Sequence, residues 1–143
     1  MTKRILIMGL PGAGKTTLAA ALTWQLFPDC LWLNADTVRE KFNDWDFSQE
    51  GRIRQSLRMR ELADASDKKF VIADFVAPLA EMRSNFAADF TIWVDTITAG
   101  RYNDTNVLFQ PPTQYDFRVT EQDADKWSEI IVKRLVDNTH PVQ

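Results

Sequence analysis

Residues 9–16 read Gly9-Leu10-Pro11-Gly12-Ala13-Gly14-Lys15-Thr16 and meet the spacing G-x-x-x-x-G-K-[ST] at every fixed position. The chemistry this spacing serves is phosphate binding. Glycines let the backbone bend until successive N–H groups point inward, and a helix starting directly afterwards adds the positive end of its dipole. Gly9, Gly12, Ala13 and Gly14 are therefore the expected cradle. Lys15 is expected to reach the outer phosphates of ATP, and the Thr16 hydroxyl to ligate the Mg2+ ion that bridges them. Thr17 offers phosphate a further hydroxyl. The full pattern disfavours a glycine-rich turn without a ligand. It also excludes the dinucleotide fingerprint, whose third glycine would stand where Thr17 does.

A second group of residues suits an acceptor. Asp36 follows a short apolar run, and a carboxylate there, facing the phosphate loop, can orient a hydroxyl or phosphate nucleophile or bind magnesium through water. Its plainer reading is an N-cap, and the two roles are compatible. Arg39 stands three residues on, nearly one helical turn away and on the same side. Guanidinium groups suit phosphate and aromatic faces suit a base, which draws attention to Phe47; both Phe47 and Trp45 also read as core plugs. Arg54, Arg58 and Arg60 read as a solvated helix face. Asp74 and Asp95 each close an apolar run, so either can hold magnesium through water; Asp74 is the better candidate, and a cap or turn role is the alternative for both. Arg101 is the sole basic residue between Asp95 and Arg118, which makes it the candidate lid arginine for charge on a transferred phosphoryl group. His140 is the only histidine, so neither a His-based zinc site nor a Ser-His-Asp system is available.

These residues need a scaffold, and the hydrophobic pattern supplies one. Apolar runs at 5–8, 31–33, 70–73, 90–94 and 117–119 read as strands, the first of them buried on both faces. Between them, residues 15–27 carry Leu18, Leu22, Leu26 and Phe27 at helical spacing. Residues 49–66 have helical composition, with Ile53, Leu57 and Glu61 on one stripe, and residues 77–88 form a further helix begun near Pro78. Thr120 with Asp123 resembles a capping box ahead of a closing helix whose stripe is Trp127, Ile130, Ile131 and Leu135. Residues 96–115 lack a period and read as a functional loop or lid. Alternating strands and helices imply α/β architecture: a P-loop NTPase three-layer α/β/α sandwich on a mostly parallel five-stranded sheet, with ligands beyond the carboxyl ends of the strands. One domain over residues 1–143 is expected.

The segment Leu33-Asn34-Ala35-Asp36-Thr37-Val38-Arg39, followed by Asn43 and Phe47-Ser48, resembles the adenylylsulfate kinase family, in which an Asp-Gly-Asp-Asn-x-Arg segment precedes Asn and Phe-Ser positions. The resemblance covers roughly the first 60 residues. It implies that Asp36 is the catalytic or magnesium-linked carboxylate, that Arg39 and Arg52 hold an acceptor nucleotide with Asn43 nearby, and that Phe47 stacks on its base. The chain departs from the family pattern at Asn34, which stands where the first Asp would be, at 75–79, and in a shortened lid around Arg101. The expected reaction is transfer of the γ-phosphoryl of ATP to the 3'-hydroxyl of adenosine 5'-phosphosulfate. The alternatives are another small acceptor, or nucleotide binding without transfer. The Asn-Lys-x-Asp signature of regulatory GTPases does not occur.

A net charge of -3 argues against a broad nucleic-acid surface. No apolar run approaches the roughly 20 residues that span a bilayer. With no targeting signal read after Met1 and a lone Cys30, the cytoplasm is the expected compartment; a small-molecule acceptor is the expected partner, with a homodimer left open.

Overall fold

The computed structural model describes residues 2–100 and 102–139. Five strands, β1 (Lys3–Met8), β2 (Cys30–Asn34), β3 (Phe70–Asp74), β4 (Phe90–Val94) and β5 (Phe117–Val119), form one sheet in the order β2-β3-β1-β4-β5. All four pairings are parallel, so the expected sheet is confirmed in its stricter form. The chain winds from β1 outward to β2, fills β3 between them, then switches sides to β4 and β5. That switch leaves a crevice at the carboxyl end of β1, where an open α/β sheet binds its ligand.

β1 shows why the sheet needs helices on both faces. Ile5 and Ile7 point into one layer with Leu18, Leu22, Ile131 and Leu135, contributed by α1 (Lys15–Leu26) and α6 (Ala124–Thr139). Leu6 and Met8 point into the other with Val38, Met59 and Phe86, contributed by α2 (Ala35–Phe42), α3 (Gln49–Asp64) and α4 (Ala80–Phe86). Every residue of β3 is buried, as expected for a strand covered on both sides.

Several helices differ from the sequence reading. The buried stripe of α3 is Gly51, Gln55, Met59 and Ala63 with Ser56, whereas Leu57 is exposed. Polar side chains sit in the α3 interface because each has a partner: Gln55 donates to the Ala35 carbonyl at 3.1 Å, and Asn85 donates to the Ser56 hydroxyl at 3.2 Å. Helix α4 starts later than expected, because Ala77 takes a positive φ of 46° and holds the segment around Pro78 out of the helix. The presumed loop 96–115 contains a short helix, α5 (Asn103–Leu108). At α6 the capping residue is Asp123, whose carboxylate accepts from the Lys126 N–H at 3.3 Å; in its stripe Ile131 and Leu135 are buried while Ile130 is exposed.

Gly9 ends β1 at φ 154°, and a Cβ there would stand 2.4 Å from the Val94 carbonyl oxygen of β4. Gly9→Ala should therefore cost about 2–4 kcal/mol, the sum of an unfavourable φ and backbone overpacking. Urea denaturation measures this, and a loss below about 0.5 kcal/mol would show that the β1–β4 approach is not tight.

Candidate active site

Loop 9–14 turns sharply out of β1 through Gly12 at φ 89° and Gly14 at φ 106°. Gly14 is also the N-cap of α1 and has no side-chain hydrogen bond to offer, and the first turn of α1 holds no acidic residue. The leading N–H groups of α1 therefore have no acceptor from the cap residue or from a first-turn carboxylate, the condition in which a helix start binds an anion. Lys15 is 9% exposed and donates from Nζ to the Leu10 carbonyl at 3.0 Å. Burial lowers its pKa to about 8, against the opposing pull of the Asp74 and Asp36 carboxylates.

Asp74, at the end of β3, is the hub of the site. Its carboxylate accepts from Trp32 Nε1 at 2.6 Å, from Asn34 Nδ2 at 3.2 Å and from Thr16 Oγ1 at 3.3 Å. Parallel pairing puts Asn34 opposite Asp74, and Trp32, two residues back, shares its face of β2. Burial pushes the Asp74 carboxyl above the usual carboxylate range, against the lowering effect of Trp32, Asn34, Lys15 and Thr16. Asp95, the rival carboxylate, is paired with Arg118 at 2.6 Å. Among the described residues no group of three His, Cys, Asp or Glu side chains is placed to hold a metal. Magnesium is usually held by one or two carboxylates together with substrate phosphates, so the hard oxygen donors of Thr16 and Asp74 fit that ion.

A cleft of about 470 Å³ opens in front of these groups, lined by Lys15, Thr16, Asp36, Phe47, Arg52 and Asp74 among others. Asp36 lies in the first turn of α2, but the cap of that helix is Asn34, whose Oδ1 accepts from the Thr37 N–H at 3.1 Å. The N-cap reading of Asp36 is thus corrected, and its carboxylate lines the cleft instead.

Arg39 is buried, with Nη1 donating to the carbonyls of Asp44 at 2.9 Å and Asp46 at 3.1 Å, and its guanidinium lies 4.3 Å from the centre of the Phe47 ring. Arg52 bonds the Phe47 carbonyl at 2.9 Å and the Thr105 hydroxyl at 3.2 Å. The half-exposed Phe47 ring and Trp45 both face the cleft. Arg54 and Arg58 are engaged by Asp44, and Arg60 by Asp64. Asn43 closes α2 with a left-handed φ of 49° and does not line the cleft. Arg101 lies outside the described residues.

A smaller cavity of about 220 Å³ lies on the other side of the loop, lined by Gly14, Thr17, Thr96, Val119, Gln122 and Trp127 among others. Thr16 and Thr17, adjacent in sequence, thus serve different cavities. Sequence reasoning missed Trp32, Thr96, Thr105 and Gln122. The β2–β3 register is the one signal that would have exposed Trp32, once Asp74 was chosen.

A lysine pKa depressed from 10.5 to about 8 means that the folded chain binds fewer protons than the unfolded chain between those values. The penalty is complete below pH 8 and fades as pH rises towards 10.5, so stability climbs across that window. Lys15→Met should accordingly stabilise the ligand-free protein by about 3 kcal/mol at pH 7 and by much less at pH 10. Denaturant titrations at the two pH values give the difference; an equal effect at both would show that Lys15 carries no desolvated charge.

The adenylylsulphate kinase family model matches residues 1–99, well past the segment that carries the sequence resemblance. A probable adenylyl-sulfate kinase of Pseudomonas aeruginosa is 33% identical over 93 residues, which is 61% of this chain and 44% of that relative. The chain thus spans less than half the length of the curated relative it matches. An APS kinase from Mycobacterium tuberculosis, solved with AMPPNP and APS, superposes with a TM-score of 0.76 at 20% identity, over 94% of this chain and 98% of the other. A shikimate kinase from Acinetobacter baumannii solved with shikimate gives 0.66 at 18% identity, over 99% and 97%. Both structures share the fold described above. With the family model matching more than half of its length, and with the phosphate loop, the buried Asp74 and Asp36 in one cleft, the chain belongs to the adenylylsulphate kinase family.

Proposed function

We propose that this protein transfers the γ-phosphoryl group of ATP to the 3'-hydroxyl of adenosine 5'-phosphosulfate. The observation that carries the reading is that one cleft is lined both by Lys15 and Thr16 of the phosphate loop and by Asp36, Phe47 and Arg52 on the opposite wall. Phosphoryl transfer needs positioning and charge neutralisation more than covalent help, and these groups supply both. The N–H groups of Gly12 and Gly14 hold the phosphates while the Ala13 N–H, which donates to the Leu10 carbonyl at 3.1 Å, keeps the loop turned, and Lys15 moves from the Leu10 carbonyl to the outer phosphate oxygens. Thr16 and Asp74 would hold Mg2+, which would neutralise charge on the phosphates.

Asp36 orients the acceptor hydroxyl and accepts its proton. Phe47 offers its ring to the acceptor base. Arg39 acts through that ring, because its Nη1 already holds two backbone carbonyls. Arg52 faces the acceptor from the cleft wall. In the family member from Mycobacterium tuberculosis the same fold was solved with AMPPNP and APS, which supports the pairing of a nucleoside triphosphate with this acceptor.

A different small alcohol is the second reading. Asp104 also lines the cleft and approaches Arg52 Nη2 to 4.0 Å, so part of the positive charge that an anionic acceptor would use is balanced.

Purified protein given ATP, Mg2+ and adenosine 5'-phosphosulfate should release ADP and form the 3'-phosphorylated product. Turnover of another alcohol in a panel, with none of this acceptor, would replace the first reading by the second. ATP binding without transfer to any acceptor would reject both. With the productive acceptor, Lys15→Ala should lower turnover about 10²–10³-fold while the domain stays folded. Asp36→Asn should lower kcat about 10²–10⁴-fold with ATP affinity nearly unchanged, and near-normal kcat would remove Asp36 from the chemistry.

A further inference from the structure

Inward-facing N–H groups make a good anion site only while the carbonyls that point the other way are kept from rearranging. Two such carbonyls of the phosphate loop are held from outside it. The Thr96 hydroxyl donates to the Ala13 carbonyl at 2.6 Å. Gln122 Nε2 lies 3.2 Å from the carbonyl oxygens of both Gly12 and Ala13, and 3.4 Å from Thr96 Oγ1. The Gln122 stem runs along the loop, since a Cβ on Gly14 would stand 3.7 Å from its Cγ. Thr96 follows β4, and Gln122 lies between β5 and α6; the parallel pairing of β4 with β5 brings the two together. Neither residue lines the cleft that holds Asp36 and Asp74.

We propose that Thr96 and Gln122 are positioning residues that fix the phosphate loop in its anion-binding shape before nucleotide arrives. Three glycines at positive φ, Gly9, Gly12 and Gly14, give the free loop many alternative conformations. Ordering a flexible loop costs conformational entropy, and a clamp that orders the loop in advance removes that cost from binding. The gain falls on phosphate affinity although neither side chain touches phosphate. The inference rests on the phosphate-binding reading of the loop and is independent of the acceptor.

The test compares wild type with Thr96→Val, Thr96→Ser and Gln122→Ala. Calorimetry measures binding of magnesium tripolyphosphate, which engages the loop alone, and of magnesium ATP; thermal melts report folding. Thr96→Val and Gln122→Ala should each weaken tripolyphosphate about five- to tenfold and ATP by at least that factor, since both side chains also line the smaller cavity, and Thr96→Ser should stay within about twofold of wild type. Unchanged tripolyphosphate affinity in both variants overturns the proposal, whether or not the melting temperature falls. Weaker ATP with unchanged tripolyphosphate overturns it as well, because the loss would then lie in nucleoside contacts. Should wild type bind neither ligand, the phosphate-loop reading falls and takes the clamp with it; wild-type binding with indifferent variants removes the clamp alone.

Discussion

The first turn of α1 is the constraint on which the structure depends. A helix start without a side-chain cap is costly unless water or a ligand satisfies its N–H groups, and here the cap is Gly14, which can offer no side chain. Replacing it by a better capping residue would require a Cβ at φ 106° and, under the proposed function, would set an oxygen where a phosphate oxygen is to sit. The sheet order follows from the same need. β1 must be central, with β3 and β4 beside it, so that the loop it feeds lies over the switch between the two halves of the sheet.

Around that loop the polar groups are arranged so that few are left over. Asp74 is buried, which alone would favour its neutral form, yet Trp32, Asn34 and Thr16 all donate to it. Each donor comes from an element the site needs in register: Trp32 and Asn34 from β2, and Thr16 from α1. Asn34 does two jobs, its amide nitrogen turned to Asp74 and its amide oxygen capping α2. An aspartate at this position, as in the resembled family, would keep the cap and lose the donor to Asp74. Asparagine here is therefore compatible with a working carboxylate hub rather than a sign of its loss.

Much of this was legible in the sequence, for identifiable reasons. The phosphate loop was readable because its spacing reflects backbone geometry that few other residues allow, and β1 and β3 because strands buried on both faces leave continuous apolar runs. Asp74 was readable as the end of such a run. What stayed hidden depends on long-range contact. The interface of α3 is lined by Gly51, Gln55, Ser56, Met59 and Ala63, because α4 and α2 supply partners for its polar groups, and a hydrophobic stripe does not describe such a face. The sequence marks Arg39 as a guanidinium for the acceptor, whereas its burial under Phe47 depends on where residues 44–47 fold back over α2. Thr96 and Gln122 meet the loop only through the β4–β5 pairing.

Thr16 and Thr17 open onto different sides of the phosphate loop. Neighbouring residues at the start of a helix point about 100° apart, so two hydroxyls in sequence cannot serve one face. Here they divide between a cleft of about 470 Å³ and a cavity of about 220 Å³ on either side of the loop. Under the proposed function, that division separates the two substrates. The acceptor occupies the larger space with Asp36 and Phe47, the nucleoside end of the donor is left the smaller one beside Val119 and Trp127, and the phosphates cross between them over Gly12 to Gly14. A hydroxyl arriving from the first side and a leaving group departing towards the second are then on opposite sides of the transferred phosphorus, the in-line arrangement that phosphoryl transfer requires. The loop accordingly has to be stiff as well as cationic, since a shift in its path would move both substrates relative to each other.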